Sequence, residues 1–323
     1  MPVDVTTFSA LARSEFQAGM MAALDKPFPA DFELFSTTLP STTAVETHTY
    51  MSNLPRLSEF TGASESVQLI DSTYTVKNKT YRAGPVLVKK ENLDDDQQGG
   101  YLKTINALPT RAQKDIGHKM LSHLALGTTT ACFDGSNFFA DSHNFGSGDN
   151  NDTANFASND AVTHRIIALV TDNSAVKPVV FQNREPLSGL MTDADTPQAA
   201  ELRQYKYWAD TRFGLGYGYW WDAYNVAITD TPTVAEVVET LIPQIINGFR
   251  SFTLPKGKAT DDTLYVHGNW KPSPASFVLV CSLKLAEIVE TAITLSQYIR
   301  STGNVDNVYK GKATVIASPE LGA

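Results

Sequence analysis

The alternation of apolar and polar positions is clearest between Val67 and Gly127, and its period changes once inside that stretch. In VQLIDSTYTVKNKTYRAGPVLVKKE, Val67 and Leu69 alternate with polar residues. Tyr74 and Val76 resume the period after a one-residue shift, and Val86 with Val88 repeats it. A period of two marks strands with one buried and one wet face. The pattern therefore predicts two long strands joined by a turn at Lys77-Asn78-Lys79-Thr80. A two-stranded ribbon is marginal alone in water, so this one must lie on another surface. Beyond it, Tyr101, Ile105, Leu108, Ala112, Ile116, Met120 and Leu124 recur at steps of three or four, the stripe of a long helix. Asp94 to Asp96 bring capping oxygens and negative charge to its start, and Gly127 is placed to end it. Pro109 lies off the stripe and predicts a kink or a break.

Elsewhere the pattern is more fragmented. Thr7 to Leu24 reads as an amphipathic helix with Phe8, Leu11, Ala12, Phe16 and Met20 on one face. From Pro27 to Phe60, prolines sit among Ser and Thr with scattered aromatics, including Phe32, Phe35 and Tyr50. That composition predicts an extended arm that gains order by lying on another surface. A Gly-, Ser-, Asn- and Asp-rich loop follows the long helix, then a weak helical pattern at Ser158 to Leu169 and a short strand at Pro178 to Gln182. YKYWADTRFGLGYGYWWDAYNVAI reads as two antiparallel strands around a Gly-rich turn or bulge. Thr231 and Pro232 open a helix whose stripe is Val234, Val237, Val238, Leu241, Ile245 and Phe249, with a kink predicted at Pro243. Short strands at Thr263 to Val266 and Phe277 to Cys281 precede a helix capped by Ser282, with Leu285, Val289, Ala292, Ser296 and Ile299 on its stripe. A strand at Lys312 to Ala317 comes last. Strands interleaved with helices give an α+β class.

Composition narrows the functional classes. Only 19% of residues are charged against 42% hydrophobic, which fits a subunit with much surface destined for contact. The net charge of −9 argues against a surface that coats nucleic acid. Two cysteines, Cys132 and Cys281, form neither a disulfide framework nor a zinc pattern and suit a reducing cytoplasm. The sequence shows no signal segment and no apolar run of membrane-spanning length, so no membrane partner is expected.

Catalytic chemistry is hard to find. Asp134, Asp141 and His143 lie close together in FDGSNFFADSH and could converge on a metal ion in a hydrolase. Their spacing matches no established ligand motif, and a turn in which side chains bond the backbone accounts for the same residues. There is no G-x-S-x-G elbow, and the cysteines sit in apolar settings where a thiol is inert. The reading is therefore of a protein with no catalytic residues, no metal and no cofactor. Lys77, Lys79 and Arg82, with Asn78 between the two lysines, make a small basic tip on the ribbon. Loop solvation accounts for it, and so does a salt bridge to a neighbouring subunit. With Tyr74 and the arm aromatics Phe32, Phe35 and Tyr50, these are the candidate assembly contacts.

Several stretches, taken in order, resemble the Mu-like phage major head subunit (gpT) family: YTVKNKTYRAGPVLVKKENLDDDQQGGY, CFDGSNFFADSHN, KPVVFQNREP, FGLGYGYWWDAYNVA and PASFVLVCSLKLAEIVETAI. The resemblance covers most of the chain from about Tyr50 onward. It implies a Hong Kong 97-type capsid fold. Mapped here, that means an N-terminal arm over 1–59, an extended hairpin loop over 60–90 and a peripheral domain over 91–199 with a spine helix and a loop insertion at 128–160. A mainly axial domain would fill 200–323, its helix at Ser282 to Arg300. It further implies a homo-oligomer of capsomers, built in the host bacterial cytoplasm and found in the virion. Scaffold, portal and decoration proteins are possible partners, and packaged double-stranded DNA is met only by non-specific proximity. Family members usually continue past a strand like ATVIASPEL with a segment that returns to the peripheral domain; here the sequence stops at Ala323, so either it is shortened or that closure is made differently. A tail or baseplate structural protein is the alternative that shares the lack of catalysis.

Overall fold

A computed structural model describes residues 14, 18, 28–51, 71–94, 100–143, 154–157, 164–171, 176–191, 201–253, 265–300 and 303–322. The helix expected at Thr7 to Leu24 lies outside the described residues except for Ser14 and Ala18. Two sheets organise the rest. The first has four strands in the order β1-β7-β8-β4, where β1 is Ser36–Pro40, β4 Lys79–Lys89, β7 Val179–Met191 and β8 Gln204–Tyr217. The second has five, β13-β10-β6-β9-β5, where β5 is Phe156–Ala157, β6 His164–Val170, β9 Ala223–Ile228, β10 Phe277–Ser282 and β13 Thr314–Ser318. Both are mixed: β1–β7, β10–β13 and β5–β9 are parallel pairs, and the remaining pairs are antiparallel.

The long helix α1 (Gly100–Ala125) packs on the four-stranded sheet. Its Ile105 and Ala112 meet Val88, Leu187, Tyr205, Tyr207 and Ala209, while Ile116 and Met120 meet Phe28, Phe181 and Phe213. The strand period of two on β8 thus faces the helix period of α1 over its whole length. Every residue of β10 is buried, as befits a strand covered on both faces. That sheet carries helices α2 (Ile242–Ser251) and α3 (Leu283–Thr294), and its core is continuous with an aromatic cluster around Trp220. No described helix is long and apolar enough to cross a membrane.

Several elements differ from their sequence expectation, each for a physical reason. The two strands of the expected ribbon do not pair with each other. Strand β3 (Asp71–Lys77) pairs with β2 (Val45–Met51), in register from Val45 with Lys77 to Met51 with Asp71, while β4 pairs with β8. Alternation fixes which face is buried but not which strand lies alongside. Asn78 is therefore no turn residue: it is buried, and its backbone N–H donates to the Ala44 carbonyl at 3.0 Å. The described strands of the ribbon are Val45–Met51 and Asp71–Lys77, and β4, expected as its second strand, belongs to the four-stranded sheet.

Helix α1 runs without a break through Pro109, which is buried. A short helix at Lys90–Asp94 precedes α1, so Asp94 ends a helix, and residues 95–99 are outside the described set. His164–Val170 is a strand where a weak helical pattern was read; a short apolar run cannot be told apart by periodicity alone. The short strand expected at Pro178 to Gln182 extends to Met191. The Gly-rich aromatic stretch is a single strand, β8, and β9 joins the other sheet, so the two do not form a hairpin. Thr233, not Thr231, caps the next helix, through a capping box with Glu236, and a π-helical stretch at Val237–Leu241 leads to Pro243. Helix α3 ends at Thr294; the remainder of its expected stripe passes into a small ribbon, β11 (Gln297–Arg300) with β12 (Gly303–Asp306), where Ile299 is 80% exposed. Nor do the sheets divide at residue 200: β6 lies in the five-stranded sheet and β8 in the four-stranded one.

Candidate assembly surface and a buried polar cluster

The residues expected to make assembly contacts fall into two groups. Phe35 is fully buried in the main core, and Phe32 packs against it with ring centroids 5.7 Å apart. This part of the arm is bound to its own body, because β1 pairs with β7 and Phe28 sits edge-on to Phe181. Tyr74 also packs on the main core, and Asn78 is buried. Arg82 is exposed but makes two hydrogen bonds to Asp210, at 2.6 and 2.8 Å, across the β4–β8 pair. Lys77 and Lys79 are exposed. Tyr50 lies on β2 opposite Ser72, and its side chain is outside the described set. The basic tip expected on the ribbon is thus at its root, beside the four-stranded sheet.

That root is held by Asn78 together with polar residues the sequence did not single out, Ser41, Glu46, His48 and Gln182. Asn78 Nδ2 donates to Ser41 Oγ and to the Thr43 carbonyl, both at 2.8 Å. Gln182, fully buried on β7, donates from Nε2 to Asn78 Oδ1 at 2.9 Å, and its Oε1 lies 2.8 Å from His48 Nε2. The Glu46 carboxylate accepts from the backbone N–H groups of Thr43 and Thr42 and from the Ser41 hydroxyl, which together pull its pKa down to about 2. The readable signal was the Ser-Thr-Thr run followed by Glu46, whose carboxylate can collect the turn's donors; the buried Gln182 gave none.

Of the candidate metal ligands, the fold unites Asp134 with His143 and leaves Asp141 exposed. Cys132 takes the third place: the ligating atoms of Cys132, Asp134 and His143 lie within 4.8 Å of one another. The hydrogen bonds fix their roles. Asn155 Nδ2 donates to the carbonyls of Phe138 and Trp220, so its Oδ1 faces the Ala140 N–H and His143 Nε2. Nε2 therefore carries a proton. On the other side Nδ1 is 2.7 Å from Asp134 Oδ2, and that bond needs a second proton. Asp134 Oδ1 accepts from the Ser136 N–H at 2.9 Å and the Cys132 thiol at 3.0 Å. The result is a buried, charge-balanced pair, with His143 stacked on Trp220 at 4.0 Å. Burial, and then the Asp134 charge, push the Cys132 thiol above its ordinary range, the opposite of an activated nucleophile. The cluster ties the loop after α1 to the turn at Trp220–Asp222, where the chain passes from one sheet to the other.

The sequence profile of the Mu-like prophage major head subunit gpT matches residues 5–246. The chain belongs to that gpT family. Among its relatives, the Mu-like prophage FluMu major head subunit of Haemophilus influenzae is 28% identical over 215 residues, covering 61% of this chain and 66% of that protein. The major capsid protein of Escherichia phage Mu is 26% identical over 225 residues, 68% of this chain and 72% of that protein. The match thus spans just under two thirds of the first relative and somewhat more of the second. Among solved structures, the bacteriophage JBD30 procapsid subunit has a TM-score of 0.74 at 23% identity and covers 99% of this chain and 100% of that one. The JBD30 capsid gives 0.72 at 18%, with 91% of each chain covered. The fold of this gpT-family chain is accordingly α+β and of the Hong Kong 97 phage-capsid type.

Proposed function

We propose that the protein is a major capsid subunit that self-assembles, without any enzymatic step, into the pentamers and hexamers of an icosahedral bacteriophage shell enclosing double-stranded DNA. The observation that carries this beyond family membership is the β2–β3 ribbon. Among the described residues its strands form ladder hydrogen bonds only with each other; its root, at Tyr74 and Val76, lies against β8, and the strands beyond gain their full stability against a further surface. In this reading residues 45–77 are the extended loop, α1 is the spine of a peripheral domain with the four-stranded sheet, and the five-stranded sheet with α2 and α3 is the axial domain. Lys77, Lys79 and Tyr50 remain as contacts with neighbouring copies. Phe32, Phe35, Tyr74, Asn78 and Arg82 support those contacts from within the subunit. The net charge of −9 keeps the shell from adhering to the genome it contains. Assembly would take place in the host cytoplasm with scaffold and portal proteins. A decoration protein is a further partner, since the JBD30 capsid has been solved decorated with minor capsid protein trimers.

The test is electron microscopy of the purified protein beside a variant whose residues 47–75 are replaced by a short Gly-Ser turn. Closed shells from the parent, and folded capsomers without shells from the variant, are expected. Tubes from the parent would favour the tail reading, and closed shells from the variant would remove the role given to the ribbon.

A further inference from the structure

Strand β8 carries its large side chains Tyr205, Tyr207 and Phe213, with Ala209 on the same face, toward α1. On the opposite face, at 214 and 216, it carries glycine. Strand β3 lies in the space this leaves. A Cβ on Gly214 would be 2.7 Å from Val76 Cγ1, 3.1 Å from the Lys77 carbonyl oxygen and 3.2 Å from Asn78 Oδ1. A Cβ on Gly216 would be 2.7 Å from Val76 Cγ2 and 3.1 Å from the Tyr74 ring. Neither glycine has a positive φ, so what the positions require is room and not a special backbone. Glycine within a strand marks the close approach of another backbone.

The ribbon is also locked in azimuth. The Thr43 carbonyl can only accept, so Asn78 Nδ2 is its donor, Asn78 Oδ1 accepts from Gln182 Nε2, and Gln182 Oε1 accepts from His48 Nε2–H. One chain of bonds with a single consistent direction thus joins β2, the residue after β3, and β7.

Taking the ribbon as an assembly element, as above, we infer that Gly214 and Gly216 are positioning residues for shell formation, a seat that sets the angle at which the ribbon leaves the subunit. The lever arm makes that angle consequential. From Val76, where the seat bears, to Asp71 is five residues of strand or about 17 Å, so a tilt of about 10° displaces that end by about 3 Å, most of the range of a side-chain contact.

The experiment compares Gly216→Ala, Val76→Phe and the double variant Gly216→Ala with Val76→Ala, each scored for solubility, circular dichroism and shell yield and diameter by electron microscopy. Val76→Phe enlarges the ribbon side of the same contact. It leaves the α1–sheet core intact and reports on the seat even if the glycine variant is insoluble. The expected result is folded subunits with shell yield reduced at least tenfold, or with particles of altered diameter, in both single variants. Parental shells should return in the double variant, where the 2.7 Å contact with Val76 Cγ2 is gone and the 3.1 Å approach to the Tyr74 ring is the closest that remains. Normal shells from Val76→Phe or Gly216→Ala, or a folded double variant that stays defective, would overturn the seat. The ribbon replacement described above separates the two ideas: if it abolishes shells while the seat variants assemble normally, the seat alone is wrong.

Discussion

The ring of His123 lies parallel to that of Tyr217, centroids 4.2 Å apart and planes within 15°, and the Tyr217 hydroxyl donates to the His123 carbonyl. On its other face Tyr217 stacks on Phe138 at 4.3 Å. The last turn of α1, the end of β8 and the loop beyond the helix therefore meet in one stack. His123 Nε2 has no access to solvent and no partner among the described residues.

Burial, helped by the nearby Lys79 charge, depresses the His123 pKa to about 4. The folded protein holds the ring neutral where the unfolded chain protonates it, from about pH 6.5 downward. Below that pH the unfolded state binds more protons, so stability falls as pH drops through the window from about 6.5 to about 4 and levels off beneath it. The difference is at most about 3 kcal/mol. Replacing His123 by Phe keeps a ring against Tyr217 and removes the proton. Denaturant unfolding of subunits at pH 7.5, 5.5 and 4 should show a shallower acid loss in the variant. Equal slopes would mean His123 does not carry the effect.

The Asp134–His143 pair makes a second prediction. Removing one partner of a buried ion pair leaves an uncompensated charge and costs about 3–5 kcal/mol. His143→Phe should cost that much in thermal or chemical unfolding. Adding Asp134→Asn should recover part of it, because an amide still accepts from Ser136 and Cys132. Additive losses would show that the two residues are not coupled. The parent protein serves the hydrolase alternative as well: stoichiometric zinc by elemental analysis, lost in the His143 variant, would replace the ion-pair account.

How much of this was legible in the sequence depends on whether a feature is local. Most of the face of α1 was readable, since Ile105, Ala112, Ile116, Met120 and Leu124 are buried as their spacing required; Leu108 is half-buried, and Tyr101, in the first turn, is exposed against expectation. Strand β10 was readable from its unbroken apolar run. Partnership was not: nothing within YTVKNKTY says that β3 turns back to β2 while β4 goes to β8, because Asn78 owes its burial to Gln182, 104 residues away. The same holds for Gly214 and Gly216. Their alternation was visible, but the strand that fills the space lies more than a hundred positions earlier. In the candidate site, Asp134 and His143 were named from proximity in the chain. Asp141 was named on the same ground and lies apart, because spacing within an irregular loop carries no direction.

Gly127 gives the last prediction, since two accounts of it rank substitutions in opposite order. As a helix terminator in the left-handed region it would tolerate Asn better than Ala. In the structure α1 passes at Ala125 into a 3₁₀ turn at Leu126–Thr128, and Gly127 is not among the residues with positive φ. Its role is proximity: a Cβ there would lie 2.6 Å from the Phe139 ring and 3.2 Å from that of Phe138, both buried in the stack that includes Tyr217. Its carbonyl also accepts from the Phe139 N–H at 2.9 Å, which leaves the two segments little freedom to part. Overpacking of this kind costs about 1–3 kcal/mol. Gly127→Ala should fall in that range, and Gly127→Asn, with more atoms to place against the same rings, should cost more. Phe139→Leu should offset part of the Ala penalty when the two are combined. Unfolding curves for the four proteins decide it: an Asn variant more stable than the Ala variant would return Gly127 to the role of a cap.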